Sequence, residues 1–325
     1  MSAIEIIEVP NSGRPSEFFR GGAVSLGKFD GVHLGHVAIL KRLRAVADQH
    51  GLPAIAITFD PPPITILKPE LVQTALCTLE RKIELISELG LDAILVLKTG
   101  REFLQLTPTE FFKTVLQEKL DVRFLVEGSN FTFGNNREGT SQTLRNLCEG
   151  TNVSCDIFEP VIIQGNPVSS SRIRELLIEG NVEAAANLLT KPYRIRGTVA
   201  HGEHRGRTLG FPTANLEGTQ TLLPKSGVYA CVCEVNGLKY AAATHFGDNP
   251  TFGQPKRKIE VHIIDFEWDI YGETIDVDII EKLRNISKFE SAEQLVAQMH
   301  ADVDRTRRII LKPDAKPRPR WTADV

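Results

Sequence analysis

The spacing of apolar and polar residues differs between the first and second parts of this chain, which predicts two domains. In the first half, short apolar runs with strand character alternate with segments in which apolar residues recur every three or four positions. The predicted strands cover residues 22–26, 54–59, 93–97, 124–126 and 153–161. Repeated strand–helix units predict a doubly wound α/β fold with a parallel sheet, whose ligands bind at the carboxyl ends of the strands.

Signals for helix ends lie between these strands. Apolar residues after His36 keep helical spacing until Gly51, and a second amphipathic segment covers residues 78–89. Thr107 and Glu110 have the spacing of a capping box, with a proline at the first helical position. We therefore expect a helix from this point to about residue 120.

From about residue 191 the pattern changes to short strands without helices between them. An Asn-Gly pair at residues 236–237 separates two such runs, which is a strong signal for a β-hairpin. The pattern predicts a small antiparallel β-barrel, followed by a C-terminal helix over about residues 291–311. The predicted domains are residues 1–190 and 191–312, and the basic, proline-rich residues 313–325 form a disordered tail.

Composition limits the compartment and the class of partner. The chain has 325 residues, more than one core usually supports, and contains no apolar run of the length that a membrane span needs. Its net charge of −3 argues against nucleic acid as the main partner. Five cysteines without metal-ligand spacing and the lack of a visible secretory signal favour the reducing cytoplasm. Membranes are not expected as partners, and weak self-association into a homo-oligomer stays open.

Residues 27–36, with the sequence GKFDGVHLGH, carry the most informative chemistry. They join a predicted strand to a predicted helix through a turn with glycines, where free backbone N–H groups and the helix dipole attract phosphate. His33 and His36 are three positions apart and face the same side, while Gly35 lets a polyphosphate approach the backbone. This is the HxGH pattern of nucleotidyl transfer, although a capping or surface histidine pair would also satisfy the spacing.

A second motif occupies residues 206–215, with the sequence GRTLGFPTAN, and it resembles the signature of riboflavin kinases. In this order, the two motifs resemble those of the prokaryotic bifunctional riboflavin kinase/FAD synthetases, over about residues 22–311. The resemblance implies phosphorylation of riboflavin to FMN, followed by adenylylation of FMN to FAD with release of pyrophosphate. It implies riboflavin, FMN and ATP as substrates and Mg²⁺ as the metal.

The resemblance also assigns residues of the adenylyltransferase half. His33 and His36 would be catalytic, and the same loop would bind the nucleotide through Lys28, Phe29, Asp30, Gly31 and Gly35. Serines at a predicted helix start and two arginines would form a second phosphate-binding motif, namely Ser170, Ser171, Arg172 and Arg174. A plain serine cap with solvated arginines is the alternative.

A glycine-flanked loop at residues 128–134 resembles the flavin side of the same family's site. Asn130 and Phe131 would contact the flavin there. Many relatives have aspartate at the position of Asn130, so this chain keeps an acceptor but loses a charge. The alternative is an ordinary Asx-turn beside two glycines.

The kinase residues follow from the second motif. Thr213 and Asn215 project to one side of an extended segment, and their oxygens suit Mg²⁺, so we expect them, with Gly210, to bind metal and ATP. A polar turn after Gly210 is the alternative. The resemblance makes Glu260 the base that takes the riboflavin hydroxyl proton, whereas the residues alone also fit an ordinary solvated strand face. Arg284 is expected to contact the flavin.

Four positions depart from the family pattern. Pro62 stands where a histidine is usual, His245 and Asn249 replace asparagine and arginine, and Ile286 replaces a glutamate. Three of these lie on the substrate side of the kinase half.

Two alternatives to a bifunctional enzyme therefore remain. One is an adenylyltransferase whose barrel has lost kinase activity, and the other is a flavin-binding module without catalytic activity. A third, chemistry like that of aminoacyl-tRNA synthetases, lacks a basic surface for RNA.

Overall fold

The computed structural model describes residues 2–9, 15–67, 74–202, 209–247 and 257–311. The tail predicted at residues 313–325, the start of the kinase motif at residues 206–208 and Asn249 lie outside the described residues. Backbone contacts cluster into two units, Met1–Ser170 and Ser171–Val325. Among the described residues, no helix combines the length and the apolar character of a membrane span.

The first unit is built on a parallel sheet, as predicted. Its strands in chain order are β1 Ala3–Val9, β2 Ala23–Leu26, β3 Ala54–Asp60, β4 Ala93–Thr99, β5 Phe124–Gly128, β6 Thr132–Phe133, β7 Gly139–Thr140, β8 Ser154–Phe158, β9 Ile162–Ile163 and β10 Asn166–Pro167. β6 pairs with β7 and β9 with β10 as small hairpins, and the other six strands form the sheet in the order β1-β4-β3-β2-β5-β8. The sequence pattern missed β1 and both hairpins.

Within the described residues, the helices of this unit are α1 Leu34–His50, α2 Pro63–Leu67, α3 Leu79–Ser87, α4 Arg101–Gln105, α5 Pro108–Glu110 with a π-helical continuation over Phe111–Lys119, and α6 Ser141–Cys148. Three of these helices, α1, α3 and α5, begin and end near the predicted signals, and the pattern missed the other three. Gly51 ends α1 in the left-handed conformation, with φ of 62°. The capping box of Thr107 and Glu110 is present, which confirms that prediction.

Both faces of the sheet are buried, which is why its strands are almost continuously apolar. On one face, Ile57 and Leu95 pack with the aromatic residues of α4 and α5. On the other face, Ala56 and Ile94 pack against α1 and α3, including Leu40. Residues two apart along one strand share a face, so each strand contributes to both cores.

The strand order places a topological switch between β2 and β5. From β2 the chain adds β3 and then β4 on one side, and it later returns to add β5 on the other side of β2. Ligands of open α/β sheets bind in the crevice at such a point, outside the carboxyl ends of the strands. The loop that carries the HxGH pattern leaves β2 here, and the loop with Asn130 leaves β5.

The second unit is a closed antiparallel barrel, which confirms the predicted class. Its strands are β11 Tyr193–Ala200, β12 Ala214–Glu217, β13 Gly227–Val235, β14 Leu238–Gly247, β15 Lys258–Ile263 and β16 Thr274–Arg284, in the order β11-β12-β15-β14-β13-β16. Asn236 and Gly237 form the tight turn between β13 and β14, with φ of 49° and 78°. Both angles are positive, as the favoured hairpin turn requires.

Three helices accompany the barrel: α7 Ser170–Glu179, α8 Val182–Leu188 and α9 Ala292–Ile310. α9 confirms the predicted C-terminal helix. α8 packs on β16 and β11, and the Lys225 amide donates to the Leu177 carbonyl at 2.9 Å. Because of these contacts, the division by backbone contacts falls at residues 170–171, at the start of α7, and not at residue 190. A functional boundary at residue 190 stays a prediction.

Candidate active sites

The loop between β2 and α1 has a strained backbone that several bonds hold in place. Phe29 and Val32 adopt positive φ values of 45° and 40°, which non-glycine residues seldom do. The Asp30 carboxylate accepts the Leu76 amide at 2.8 Å, and the Gly31 amide donates to the Cys77 sulfur at 3.1 Å. Strain of this kind, fixed by its surroundings, is typical of sites where a ligand binds.

The two histidines of the HxGH pattern lie together at the start of α1, as the spacing predicted. His33 is the N-cap, and its Nδ1 accepts the His36 amide at 3.4 Å. The rings stack with centroids 3.6 Å apart. A Cβ at Gly35 would lie 3.2 Å from the His33 ring, which explains the glycine. Since Nδ1 of neutral His33 is an acceptor, its proton resides on Nε2, which can donate to a phosphate.

Burial keeps both imidazoles neutral. It lowers the pKa of His33 to about 4. The pKa of His36 is well below its ordinary value, first because of burial and then because of the charges of His33 and Lys82. The buried Nδ1 of His36 has no hydrogen-bond partner among the described residues. In the absence of a ligand, both side chains therefore offer hydrogen bonds rather than positive charge.

Lys82 is a buried cation near this loop that sequence reasoning missed. Its side chain on α3 is almost fully buried, at 6% exposure, and burial lowers the pKa of its ammonium. The ammonium donates to the Thr58 hydroxyl at 3.2 Å, and that hydroxyl donates to the Lys28 carbonyl at 3.4 Å. α3 is thus linked through β3 to the HxGH loop. In the sequence, a lysine on the apolar face of the predicted helix was the one indication that Lys82 is buried.

The rest of the HxGH loop is placed as follows. Phe29 is buried and packs edge-on against His36, with centroids 5.3 Å apart, so its side chain belongs to the core. The Ser170 hydroxyl, at the start of α7, donates to the Asp30 carbonyl at 3.0 Å. Ser171, Arg172 and Arg174 belong to the second unit, and their nucleotide contacts stay predictions.

The loop after β5 contains a tight turn and a pair of stacked aromatic rings. The Phe131 amide donates to the Gly128 carbonyl at 2.9 Å, closing a turn that exposes Asn130. Phe131 stacks on Phe133 with centroids 5.4 Å apart. Pro62, where relatives have histidine, directly precedes α2 and has no side-chain donor. Flavin contacts of Asn130 and Phe131 stay predictions.

Polar side chains line one row across three strands of the barrel. Asn215 on β12 pairs with Glu260 on β15, and Glu260 pairs with His245 on β14. Residues directly opposite each other share a face of the sheet. On β15, Lys258 and Glu260 are half-buried while the residues between and after them are buried in the barrel. This alternation confirms the polar face that the sequence indicated.

Asn215 lies against a glycine that makes room for it. A Cβ at Gly202 would lie only 2.0 Å from Asn215 Nδ2, so another residue there would displace the amide. Thr213 lies two residues earlier, and both side chains are half-buried. The described residues contain no cluster of three or more histidine, cysteine or acidic groups suited to a metal. A hydroxyl and an amide oxygen fit Mg²⁺ that takes its other ligands from water and phosphate.

Two side chains, those of His245 and Lys258, contact the carboxylate of Glu260 and stabilise its ionised form. His245 Nδ1 lies 3.2 Å from Oε2, and Lys258 Nζ lies 2.8 Å from Oε1. The hydrogen bond with His245 is the main reason that the pKa of Glu260 falls to about 2, with Lys258 adding to it. Glu260 is therefore ionised throughout the physiological range and can accept a proton, although the low pKa makes it a weak base.

The remaining kinase candidates are placed as follows. Gly210 takes a φ of 84° before the buried Phe211, whose ring lies 5.3 Å from that of His262. Arg284 pairs with Asp302 of α9 at 2.9 Å and lies over the Phe289 ring. Its predicted flavin contact would have to coexist with this ion pair. The loop beyond it exposes Ile286.

The fold and these two sites define an α/β nucleotidyltransferase-type unit joined to a kinase-type barrel. Family comparison agrees with this division. Residues 16–172 match the FAD synthetase family and residues 189–310 match the riboflavin kinase family.

Whole-chain relatives have the same two-part organisation. A bifunctional riboflavin kinase/FMN adenylyltransferase of Listeria monocytogenes is 37% identical over 292 residues, which cover 89% of this chain and 92% of the relative. One from Escherichia coli is 34% identical, with 87% and 90% covered. The chain therefore belongs to the bifunctional riboflavin kinase/FMN adenylyltransferase family.

A solved structure shares the fold over nearly the whole chain. It is described as a macrolide-efflux protein from Streptococcus pneumoniae, and it aligns with a TM-score of 0.84 and 33% identity, covering 93% of this chain and 98% of that one. The comparison supports the order of a parallel sheet followed by a barrel.

Proposed function

We propose that this enzyme makes FAD in two ATP-dependent steps, first phosphorylating riboflavin to FMN and then joining FMN to AMP. One observation carries the proposal: each unit has its own polar site. The α/β unit stacks His33 and His36 at a helix start, and the barrel aligns Asn215 with Glu260. The two family matches fall on the same two units. A flavin-binding module alone would need neither arrangement.

In the adenylyl step, an FMN phosphate oxygen attacks the α-phosphorus of ATP while pyrophosphate leaves. A phosphate is already a competent nucleophile, so the protein positions the reactants and stabilises the charge that develops. The Nε2–H of His33 and the free amides at the start of α1 are suitable donors. We infer that Lys28, Asp30, Gly31 and Gly35 shape this pocket.

Two further groups complete the proposed adenylyl site. Ser170, Ser171, Arg172 and Arg174 would supply donors and positive charge to the phosphates, a need that the neutral imidazoles leave unmet. Asn130 and Phe131 would receive the flavin at the end of β5, beside the switch point. Stacking on an aromatic ring suits the planar isoalloxazine.

In the kinase step, the riboflavin hydroxyl oxygen forms a bond to the γ-phosphorus and the bond to the bridging oxygen of ADP breaks. Glu260 takes the hydroxyl proton. Thr213 and Asn215 would hold Mg²⁺, which when bound supplies positive charge beside the ATP phosphates. Such transfers have a loose transition state and depend mainly on positioning, so a weak base suffices.

We further propose that the enzyme works in the cytoplasm. All five cysteines are unpaired in the structure, which fits a reducing compartment. Its partners would be the small molecules riboflavin, FMN and ATP.

Incubation of the purified protein with riboflavin, ATP and Mg²⁺, followed by chromatographic separation of the flavins, tests the proposal. FMN should appear first and FAD should follow. FAD from added FMN, without any FMN from riboflavin, would leave an adenylyltransferase with an inactive barrel. Tight flavin binding without ATP consumption would indicate a binding module instead.

A further inference from the structure

The contact between His245 and Glu260 is built into the sheet and is not a chance surface pairing. The two residues are directly paired across β14 and β15, and both side chains are partly buried, with exposures of 35% and 26%. His245 Nδ1 lies 3.2 Å from Glu260 Oε2. Lys258 reaches only the other carboxylate oxygen, Oε1. The imidazole and the ammonium therefore contact different oxygens of the same carboxylate.

A glycine provides the space that the imidazole occupies. A Cβ at Gly247 would lie 2.5 Å from His245 Cε1 and 3.1 Å from Nε2. The far edge of the ring thus rests against the Gly247 backbone. Gly247 has no positive φ, so space and not backbone conformation is what a side chain would lack here.

We propose that His245 is a positioning residue of the kinase site, whose Nδ1 holds the Glu260 carboxylate in the orientation that receives the riboflavin hydroxyl proton. The proposal rests on the kinase function proposed above. His245 does not itself touch the reacting atoms in this account. A rigid ring suits the task better than Lys258, because a lysine loses more rotamer freedom when it is fixed in one place.

Three substitutions at residue 245 test which atom matters. The amide nitrogen of asparagine can occupy the place of Nδ1, whereas that of glutamine corresponds to Nε2. His245→Ala should lower kcat for riboflavin phosphorylation about tenfold, with the KM values for riboflavin and ATP nearly unchanged. His245→Asn should restore most of the loss and His245→Gln should not. The melting temperature of each variant, followed by circular dichroism, is the control for folding, and FAD formation from added FMN on the same samples controls for the amount of enzyme.

A substitution at Gly247, which packs against the His245 ring, tests the contact between His245 and Glu260 independently. Gly247→Ala should push the ring away from Glu260 and lower kcat to a similar extent. In the His245→Asn background the clashing ring atoms are absent, so Gly247→Ala should have little further effect. Such non-additivity is the mark of two residues that act through one contact.

The outcomes separate the two proposals. Equal activity of the asparagine and glutamine variants, or an additive effect of Gly247→Ala, would overturn the role of His245 while leaving the kinase function standing. Absence of FMN formation by the unchanged protein would overturn the kinase function itself. An alanine variant as active as the unchanged protein would also refute the positioning role.

Discussion

The two sites handle charge in opposite ways. In the α/β unit, burial lowers the pKa of His33 to about 4, so the stacked imidazoles are neutral. In the barrel, His245 and Lys258 lower the pKa of Glu260 to about 2, so its carboxylate is charged. In our proposal, the first site offers hydrogen-bond donors to an anionic nucleophile and leaving group. The second would offer an acceptor to a neutral hydroxyl, which must lose a proton.

This contrast follows from where each site lies. The HxGH loop starts a helix at the centre of a doubly covered sheet, where desolvation dominates the energy of a titratable group. The Glu260 row lies on the polar face of a barrel, where opposite charges can be placed on neighbouring strands. Both sites bind ATP in our proposal, and they differ because the attacking groups differ.

The largest effect should come from removing one of the two stacked imidazoles of the first site. His36→Ala should lower FAD formation by about 100- to 1,000-fold, the usual loss for a donor aimed at developing charge. FMN formation from riboflavin should continue, because that site lies in the other unit. His50→Ala, at the exposed far end of α1, is the matched control. Equal loss of both products in the His36 variant would contradict separate sites.

The second largest effect should come from a substitution in the barrel, at Asn215. Asn215→Ala should lower FMN formation by about 10- to 100-fold, the range for loss of groups that support a bound metal. FAD formation from added FMN should persist. Gly202→Ala should imitate the effect, because its Cβ would displace the Asn215 amide. Asn215→Asp, which keeps an oxygen ligand, should retain more activity than the alanine variant at high Mg²⁺, and a lower activity would argue against a metal ligand.

These residues also show how far the sequence alone could lead. The HxGH spacing and the Asn-Gly turn predicted the local structures correctly, because each depends on a few neighbouring residues. The contacts of Lys82, Gly202 and His245 were not predicted. The roles of these residues depend on contacts between distant segments, such as the bond from Lys82 to Thr58.

Other differences arose from competition between local and tertiary signals. The periodic pattern placed the boundary at residue 190, but α7 and α8 pack with the barrel. The strand β1 was missed, although it pairs with β4 along its whole length at the edge of the sheet. The charge state of His33 was also beyond the sequence, because it depends on burial.

Substitution of the buried Lys82 should have a smaller effect on FAD formation and should not lower stability. Lys82→Met should lower FAD formation about tenfold, because the link from α3 to the HxGH loop is lost and reactant alignment suffers. Replacing a buried charge with an apolar group of similar length should leave stability unchanged or improve it. Circular dichroism melts and the FAD assay should therefore move in different directions. A parallel loss of melting temperature and activity would mean that Lys82 is only structural.

The smallest effect concerns the response of the first unit to acid. The pKa of His33 is about 4 in the folded protein and 6.5 in its ordinary state, so between these values the unfolded chain binds more protons. Stability is therefore lost as pH falls from 6.5 towards 4, by at most about 3 kcal/mol for this group. His33→Asn can keep the cap but cannot titrate.

Hydrogen exchange of α1, measured by mass spectrometry on both proteins at each pH, can detect this difference. The unchanged protein should lose protection relative to His33→Asn as the solution is acidified. If the exchange rates of α1 in the two proteins change in parallel from pH 6.5 to 4, His33 is not the buried neutral group described above.

A mixture of the two inactive variants tests the central claim most directly. His36→Ala and Asn215→Ala are combined with riboflavin, ATP and Mg²⁺, and the flavins are separated by chromatography. If the two reactions take place at separate sites, the first variant supplies FMN and the second converts it, so FAD should accumulate in the mixture while neither protein alone makes it at a comparable rate. No FAD in the mixture, although FMN is formed, would contradict the account.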